Sequence, residues 1–176
     1  SSRSDSGWAL TDNLTMLYNL IETLKKARPC KLIFLSSVEI YGIPEKLPIS
    51  EDTLFTPKTL YGVGKITAEL MLQRWHRQDE IPVAALRLPG VYGPGDKGFG
   101  LIGALIKSAK EQKEFNLIGG GMEQRDYVFV EDIGKIVMAL SDLDFTELTL
   151  NIATGQTVAV ADIIKQIFAL YGECPL

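Results

Sequence analysis

Two stretches of this chain are apolar almost without interruption, Lys31-Leu-Ile-Phe-Leu-Ser-Ser37 and Pro82-Val-Ala-Ala-Leu-Arg-Leu88. Neither alternates apolar with polar, as a strand with one wet face would, and both have strand length. They read as strands of a parallel sheet covered on both faces, a layout found in α/β proteins and hardly elsewhere. Leu148 to Ala153 is a third apolar strand candidate. Helical patterns separate them. Leu10, Leu14, Leu17, Ile21 and Leu24 recur every three or four positions between Trp8 and Ala27, and Ile66, Leu70, Met71 and Trp75 line one side of Tyr61 to Gln78. Further helices are expected over Leu101 to Gln112, in the second half of Asp126 to Leu140 after a short strand, and over Asp162 to Leu170; Phe115 to Gly121 reads as a short strand and turn. Strand and helix in this order predict a doubly wound parallel sheet.

Composition narrows the function classes. With 46% hydrophobic and 23% charged residues the chain can bury one sizeable core. A net charge of −4 offers no basic stripe for a phosphate backbone or an anionic lipid surface, so neither nucleic acid nor membrane is an expected partner. No apolar run reaches the roughly 20 residues of a membrane helix, and Ser1 to Gly7 lacks the layout of a signal peptide, which gives a cytoplasmic reading. Cys30, Cys174 and His76 are too few and too scattered for a disulfide framework or a Cys/His zinc site, and no metal is expected. The chain opens on Ser1 and closes on Cys-Pro-Leu directly after a helical pattern; we expect a fragment.

Two local features carry chemistry. Tyr61 and Lys65 stand four apart at the start of a helix that follows a long Pro-, Gly- and Ser-rich loop, Tyr41 to Leu60, so phenol and ammonium share one helix face. A free tyrosine titrates near pH 10, and a neighbouring cation favours its phenolate, which makes the pair an acid/base for hydroxyl or carbonyl oxygen. Ser36 and Ser37 end the first strand at its C-terminal edge, where open α/β sheets place their ligands. Gly98-Phe-Gly100-Leu-Ile-Gly103 spells a dinucleotide fingerprint, but about ten residues separate it from the preceding strand, and we read it as a loop on the substrate side.

Six motifs in order carry a resemblance: Ser36-Ser-Val-Glu-Ile-Tyr-Gly42; Pro48-Ile-Ser-Glu51; Pro57 with Tyr61-Gly and Lys65; Arg87-Leu-Pro-Gly-Val-Tyr-Gly-Pro94; Arg125-Asp126 with Asp132; and Asn151-Ile-Ala with Gly155. The chain resembles the extended short-chain dehydrogenase/reductases, within them the NAD-dependent sugar epimerase/dehydratase group of the UDP-galactose 4-epimerase type. That resemblance implies an enzyme that transiently oxidises a sugar hydroxyl. Tyr61 would be the acid/base, Lys65 would bind the nicotinamide ribose and lower the tyrosine pKa, and Ser37 would hold the reacting oxygen. Glu39 falls where related dehydratases keep an acid, although the aspartate expected before it is Val38, which argues against a 4,6-dehydratase. Asn13, Ser36, Leu88 and Pro89 would join Tyr61 and Lys65 around the cofactor, NAD with NADP left open. Arg125 would pair with the diphosphate of a nucleotide-sugar, the alternative being a salt bridge to Asp126 or Asp132. Gly90 stands at a substrate position where asparagine is usual, which leaves a reductase of a non-nucleotide ketone or aldehyde as one alternative and a non-catalytic truncated relative as another.

The resemblance further implies that the N-terminal glycine-rich half of the cofactor domain lies outside these residues and that about 90–130 contributes to a small substrate lobe. We therefore expect the chain alone to bind the dinucleotide poorly. We also expect Lys31 to Ser37 to present an unpaired edge, so that the chain either self-associates, as in a homodimer, or completes a larger polypeptide.

Overall fold

A computed structural model describes residues 7–115, 117 and 120–171, without the side chains of Trp8 and Ala9, and it divides into two compact units. The first runs up to Leu88 and includes Val137–Ile152; the second holds Pro89–Ile136 and the residues from Ala153 on.

In the first unit, α1 (Gly7–Ala27) turns Leu17 and Ile21 onto Ala68, Leu72 and Trp75 of α2 (Leu60–Asp79) and onto Val83. Helix α2 starts where the Thr59 hydroxyl accepts the Gly62 N–H, and it stops at Glu80, whose left-handed φ of 56° lets its N–H reach the His76 carbonyl. The sheet is parallel in the order β1 (Leu32–Ser37), β2 (Val83–Leu88), β6 (Glu147–Asn151). Leu32 lies opposite Val83 and Ser37 opposite Leu88, while Arg87 faces Asn151. Only β2 is buried along nearly its whole length; β1 is half-buried and Leu35 is exposed. The expectation of burial on both faces therefore holds for β2 and is corrected for β1. Position in the sheet is the cause. β2 is central, whereas β1 has a hydrogen-bonding partner on one side only among the described residues, as its bare-edge reading required.

Into this apolar layer β2 carries a charge. Arg87 and Glu69 of α2 are each 3% exposed and form an ion pair at 2.8 Å, with Nε of Arg87 shared between both carboxylate oxygens at 3.3 Å. The Nη1 group donates to the Tyr41 hydroxyl at 2.6 Å and to the Glu51 carbonyl at 2.8 Å, and the guanidinium lies between the rings of Tyr41 and Phe55. Tyr41 passes the chain on to Asn151 at 2.7 Å, and Asn151 ties down Ile49 and Glu51. Loop 42–59 is thus fastened to the C-terminal ends of the strands. Its first residue has to be glycine: Gly42 has φ +62°, and the Thr56 carbonyl occupies the place a Cβ would take.

The second unit packs α3 (Leu101–Glu111) on α5 (Val160–Tyr171) through Leu105, Ala109, Ile163, Ile164 and Ile167. It contains two small ladders, parallel β3 (Gly90–Tyr92) with β5 (Tyr127–Phe129) and antiparallel β4 (Gln124–Arg125) with β7 (Val158–Ala159). β5 leads into α4 (Val130–Asp142), as the sequence predicted. Strand β3 falls in what reads as a glycine-rich loop, and Phe115 and Leu117 belong to no strand; Asn116, Ile118 and Gly119 lie outside the described residues. The turn at Gly120 and Gly121 is present, both with positive φ.

Removing the guanidinium should leave a carboxylate buried and alone, which costs about 3–5 kcal/mol. Arg87→Met is expected to lose stability of that order in urea titration. A loss below about 1 kcal/mol would show that Arg87 does not anchor the sheet.

Candidate active site

The site starts from a close approach. A Cβ on Gly62 would stand 2.8 Å from the Glu39 carbonyl oxygen and 3.0 Å from the Pro57 side chain, so only glycine lets the first turn of α2 lie against the 3-10 turn Val38–Tyr41 that follows β1. That approach sets Tyr61 beside Ser37. The phenol is 37% exposed and hydrogen-bonded to the Ser37 hydroxyl, which also caps the turn by accepting the Glu39 N–H at 3.2 Å. Lys65, one turn along, donates to the Leu35 carbonyl at 2.7 Å and places Nζ 4.9 Å from the Phe34 ring centroid and 5.5 Å from that of Tyr61.

Electrostatics here run against one expectation. The Tyr61 pKa is raised: burial is the chief cause, the Ser37 bond opposes it, and the charge of Glu39 adds to it. Lys65 was expected to lower it, but desolvation of the phenolate wins. The Lys65 ammonium is itself held below its usual value by burial, with Glu69 opposing. In this state the phenol is a proton donor, and a hydroxyl or carbonyl oxygen between Ser37 and Tyr61 could take its proton.

Of the other sequence-predicted residues in this unit, Glu39 is exposed and accepts the Thr59 hydroxyl at 3.0 Å. Leu88 lies opposite Ser37 in the sheet, at the same strand ends. Asn13 is exposed on α1. The hydroxyl of Ser36 is committed to Glu69 in a short hydrogen bond in the interior, which corrects any expectation that this side chain faces a ligand. Ser37, Glu39, Tyr61 and Lys65 are brought together; Glu69 and Arg87 beneath them were missed. An arginine inside an apolar strand, and an acid four residues after Lys65 on the same helix face, were the available signals.

Pro89, Gly90 and Arg125 belong to the second unit. A Cβ on Gly90 would come within 2.5–2.6 Å of the Tyr127 ring, so the ring takes the room a side chain would need. Arg125 is exposed on β4 opposite Val158. Neither expected ion-pair partner meets it. Asp126 accepts from Thr154 and Gly155, Asp132 pairs with Lys135 at 2.8 Å, and no ion pair to Arg125 occurs among the described residues. The fingerprint glycines serve packing: Gly103 leaves room for the Asp96 carboxylate, which accepts the N–H groups of Gly98 and Phe99.

Comparison with known proteins bears on what these residues make up. The family described as "NAD dependent epimerase/dehydratase family" matches residues 1–153. A putative UDP-glucose 4-epimerase of Methanocaldococcus jannaschii is 32% identical over 92% of this chain and 54% of its own length, and the UDP-glucose 4-epimerase of Lactobacillus helveticus is 34% identical over 88% and 52%. The solved structure of MoeE5 in complex with UDP-glucose and NAD superposes with a TM-score of 0.86 at 30% identity, over 93% of this chain and 55% of that one. The chain spans about half the length of the curated relatives it matches. The match over residues 1–153 places the chain in the NAD-dependent epimerase/dehydratase family.

Proposed function

We propose that the protein is a nucleotide-sugar epimerase or dehydratase that works with NAD, the absence of an aspartate at Val38 favouring the epimerase. The observation that carries this reading is the gathering of Ser37, Tyr61 and Lys65 at the C-terminal end of β1, the edge where such sheets hold their ligands. The names of the relatives and the ligands in the MoeE5 structure support it.

The donor set suits the cofactor. Lys65 has three N–H donors and the Leu35 carbonyl takes one, which leaves the others for ribose hydroxyls. Asn13, the backbone of Ser36, Leu88 and Pro89 complete the contacts we assign to NAD. The bound dinucleotide supplies a reversible hydride acceptor. Tyr61 takes the proton of the sugar hydroxyl and returns it, Ser37 orients the same oxygen, and the Lys65 ammonium draws the phenol towards its phenolate once the ligand excludes water. Glu39, on the exposed side, is available to a later step at the keto sugar. Arg125, free of any described ion pair, is assigned to the diphosphate beside Gly90, and residues 90–130 to the substrate lobe; the unit boundary at Leu88 and Pro89 supports that division. We further take the protein to be a cytoplasmic homodimer. The unpaired edge of β1 and exposed Met16, Tyr18 and Leu20 on α1 support self-association.

In the full-length protein, Tyr61→Phe should cut kcat on a UDP- or dTDP-sugar about a hundredfold or more with NAD affinity kept, and Arg125→Ala should raise KM far more than it lowers kcat. Turnover confined to simple ketones, or a Tyr61→Phe variant with unaltered kcat, would overturn the reading.

A further inference from the structure

Tyr61, Lys65 and Glu69 follow one another at intervals of four and lie along one face of α2. Each meets a different one of three consecutive residues at the end of β1. The Lys65 ammonium donates to the Leu35 carbonyl, the Ser36 hydroxyl donates to Glu69, and the Ser37 hydroxyl is bonded to the Tyr61 phenol. The outer two of these contacts involve side chains that water reaches. The middle one is sealed, with Ser36 and Glu69 each 3% exposed and the carboxylate gripped from the far side by Arg87 of β2.

We propose that Glu69 is a positioning residue for the group Ser37, Tyr61 and Lys65, its buried bond to Ser36 fixing the register of α2 on the end of β1. The proposal rests on the functional reading of those three residues. A single solvent-competed hydrogen bond contributes about 1 kcal/mol net and cannot by itself stop a helix face from rolling over a strand end. A dry carboxylate that accepts from both strands at once is about twice as strong per bond, and the fork of an arginine fixes its orientation. The stiff contact therefore sets where the two soft ones fall. Glu69 also acts by charge, supporting the protonated form of Lys65 against its burial. The other charged group facing the phenol is Glu39, from the turn after β1.

The proposal can be tested without substrate. With tyrosine labelled at the ring carbon bearing the hydroxyl, the Tyr61 resonance at neutral pH reports its bond to Ser37, and Ser37→Ala gives the value for a broken bond. In full-length protein, Ser36→Ala, which leaves the Glu69–Arg87 pair intact, and Glu69→Gln should both move that resonance towards the Ser37→Ala value. Both should also lower kcat on a nucleotide-sugar by on the order of tenfold to a hundredfold with little change in KM, the effect of misplacing reacting groups. A Tyr61 resonance unmoved in both folded variants would overturn the proposal. So would recovery of full activity by Glu69→Leu. If circular dichroism shows Glu69→Gln unfolded, Ser36→Ala decides alone. A shifted resonance in a protein that turns over no nucleotide-sugar would leave the positioning role standing and remove the functional reading instead.

Discussion

An arginine in the central strand of an apolar sheet has to be matched or the sheet does not form. Desolvating each ion costs several kcal/mol, and the mutual attraction offsets that only when the remaining hydrogen-bonding capacity is also satisfied. Here the matching is unusually wide in reach. Glu69 answers Arg87 from the helix, Tyr41 from the turn after β1, and the Glu51 carbonyl from the loop, and Tyr41 hands on to Asn151 in the third strand. One buried charge thereby joins all three strands of the first unit, α2 and loop 42–59 at the same end of the sheet.

What that end presents to solvent follows from what is fixed underneath. Gly62 admits the helix to the turn, Ser36 and Glu69 lock it, and the residues able to exchange protons stand one step nearer to water on the same helix and strand. Burial raises the pKa of Tyr61 in this state, so the phenol is held as an acid, and the cation at 5.5 Å does not reverse that. In the second unit the same division of labour appears on a smaller scale. Asp126 spends its oxygens on Thr154 and Gly155, and the adjacent Arg125 keeps its guanidinium out of ion pairs among the described residues.

Much of this was legible in the residue order. Long apolar runs identify strands because burial on two faces leaves no room for polar positions, and β1, β2 and β6 were found that way. Tyr61, Lys65 and Ser37 were legible because helix spacing and strand ends are local geometry. β3, β4 and β7 were not: ladders of two or three residues are shorter than any periodicity that could reveal them. The pairing of Glu69 with Arg87, 18 residues apart, depends on how a helix folds back on a strand. The direction of the Tyr61 pKa depends on burial, which spacing alone does not disclose. The exposure of β1 reflects its place at the edge rather than its composition, and the glycines at 98, 100 and 103 imitate a cofactor motif because one of them makes room for an aspartate.

The central claim is that the Arg87 network makes loop 42–59 and the strand ends one cooperative unit, and native-state hydrogen exchange tests it most directly. The amide of Thr56, bonded to the Ile40 carbonyl, and that of Asn151, bonded to the Glu51 carboxylate, should open with the same free energy and the same denaturant dependence as Ala85 and Leu86 in the middle of β2. Exchange of Thr56 and Asn151 by small local openings, insensitive to denaturant while β2 stays protected, would contradict it.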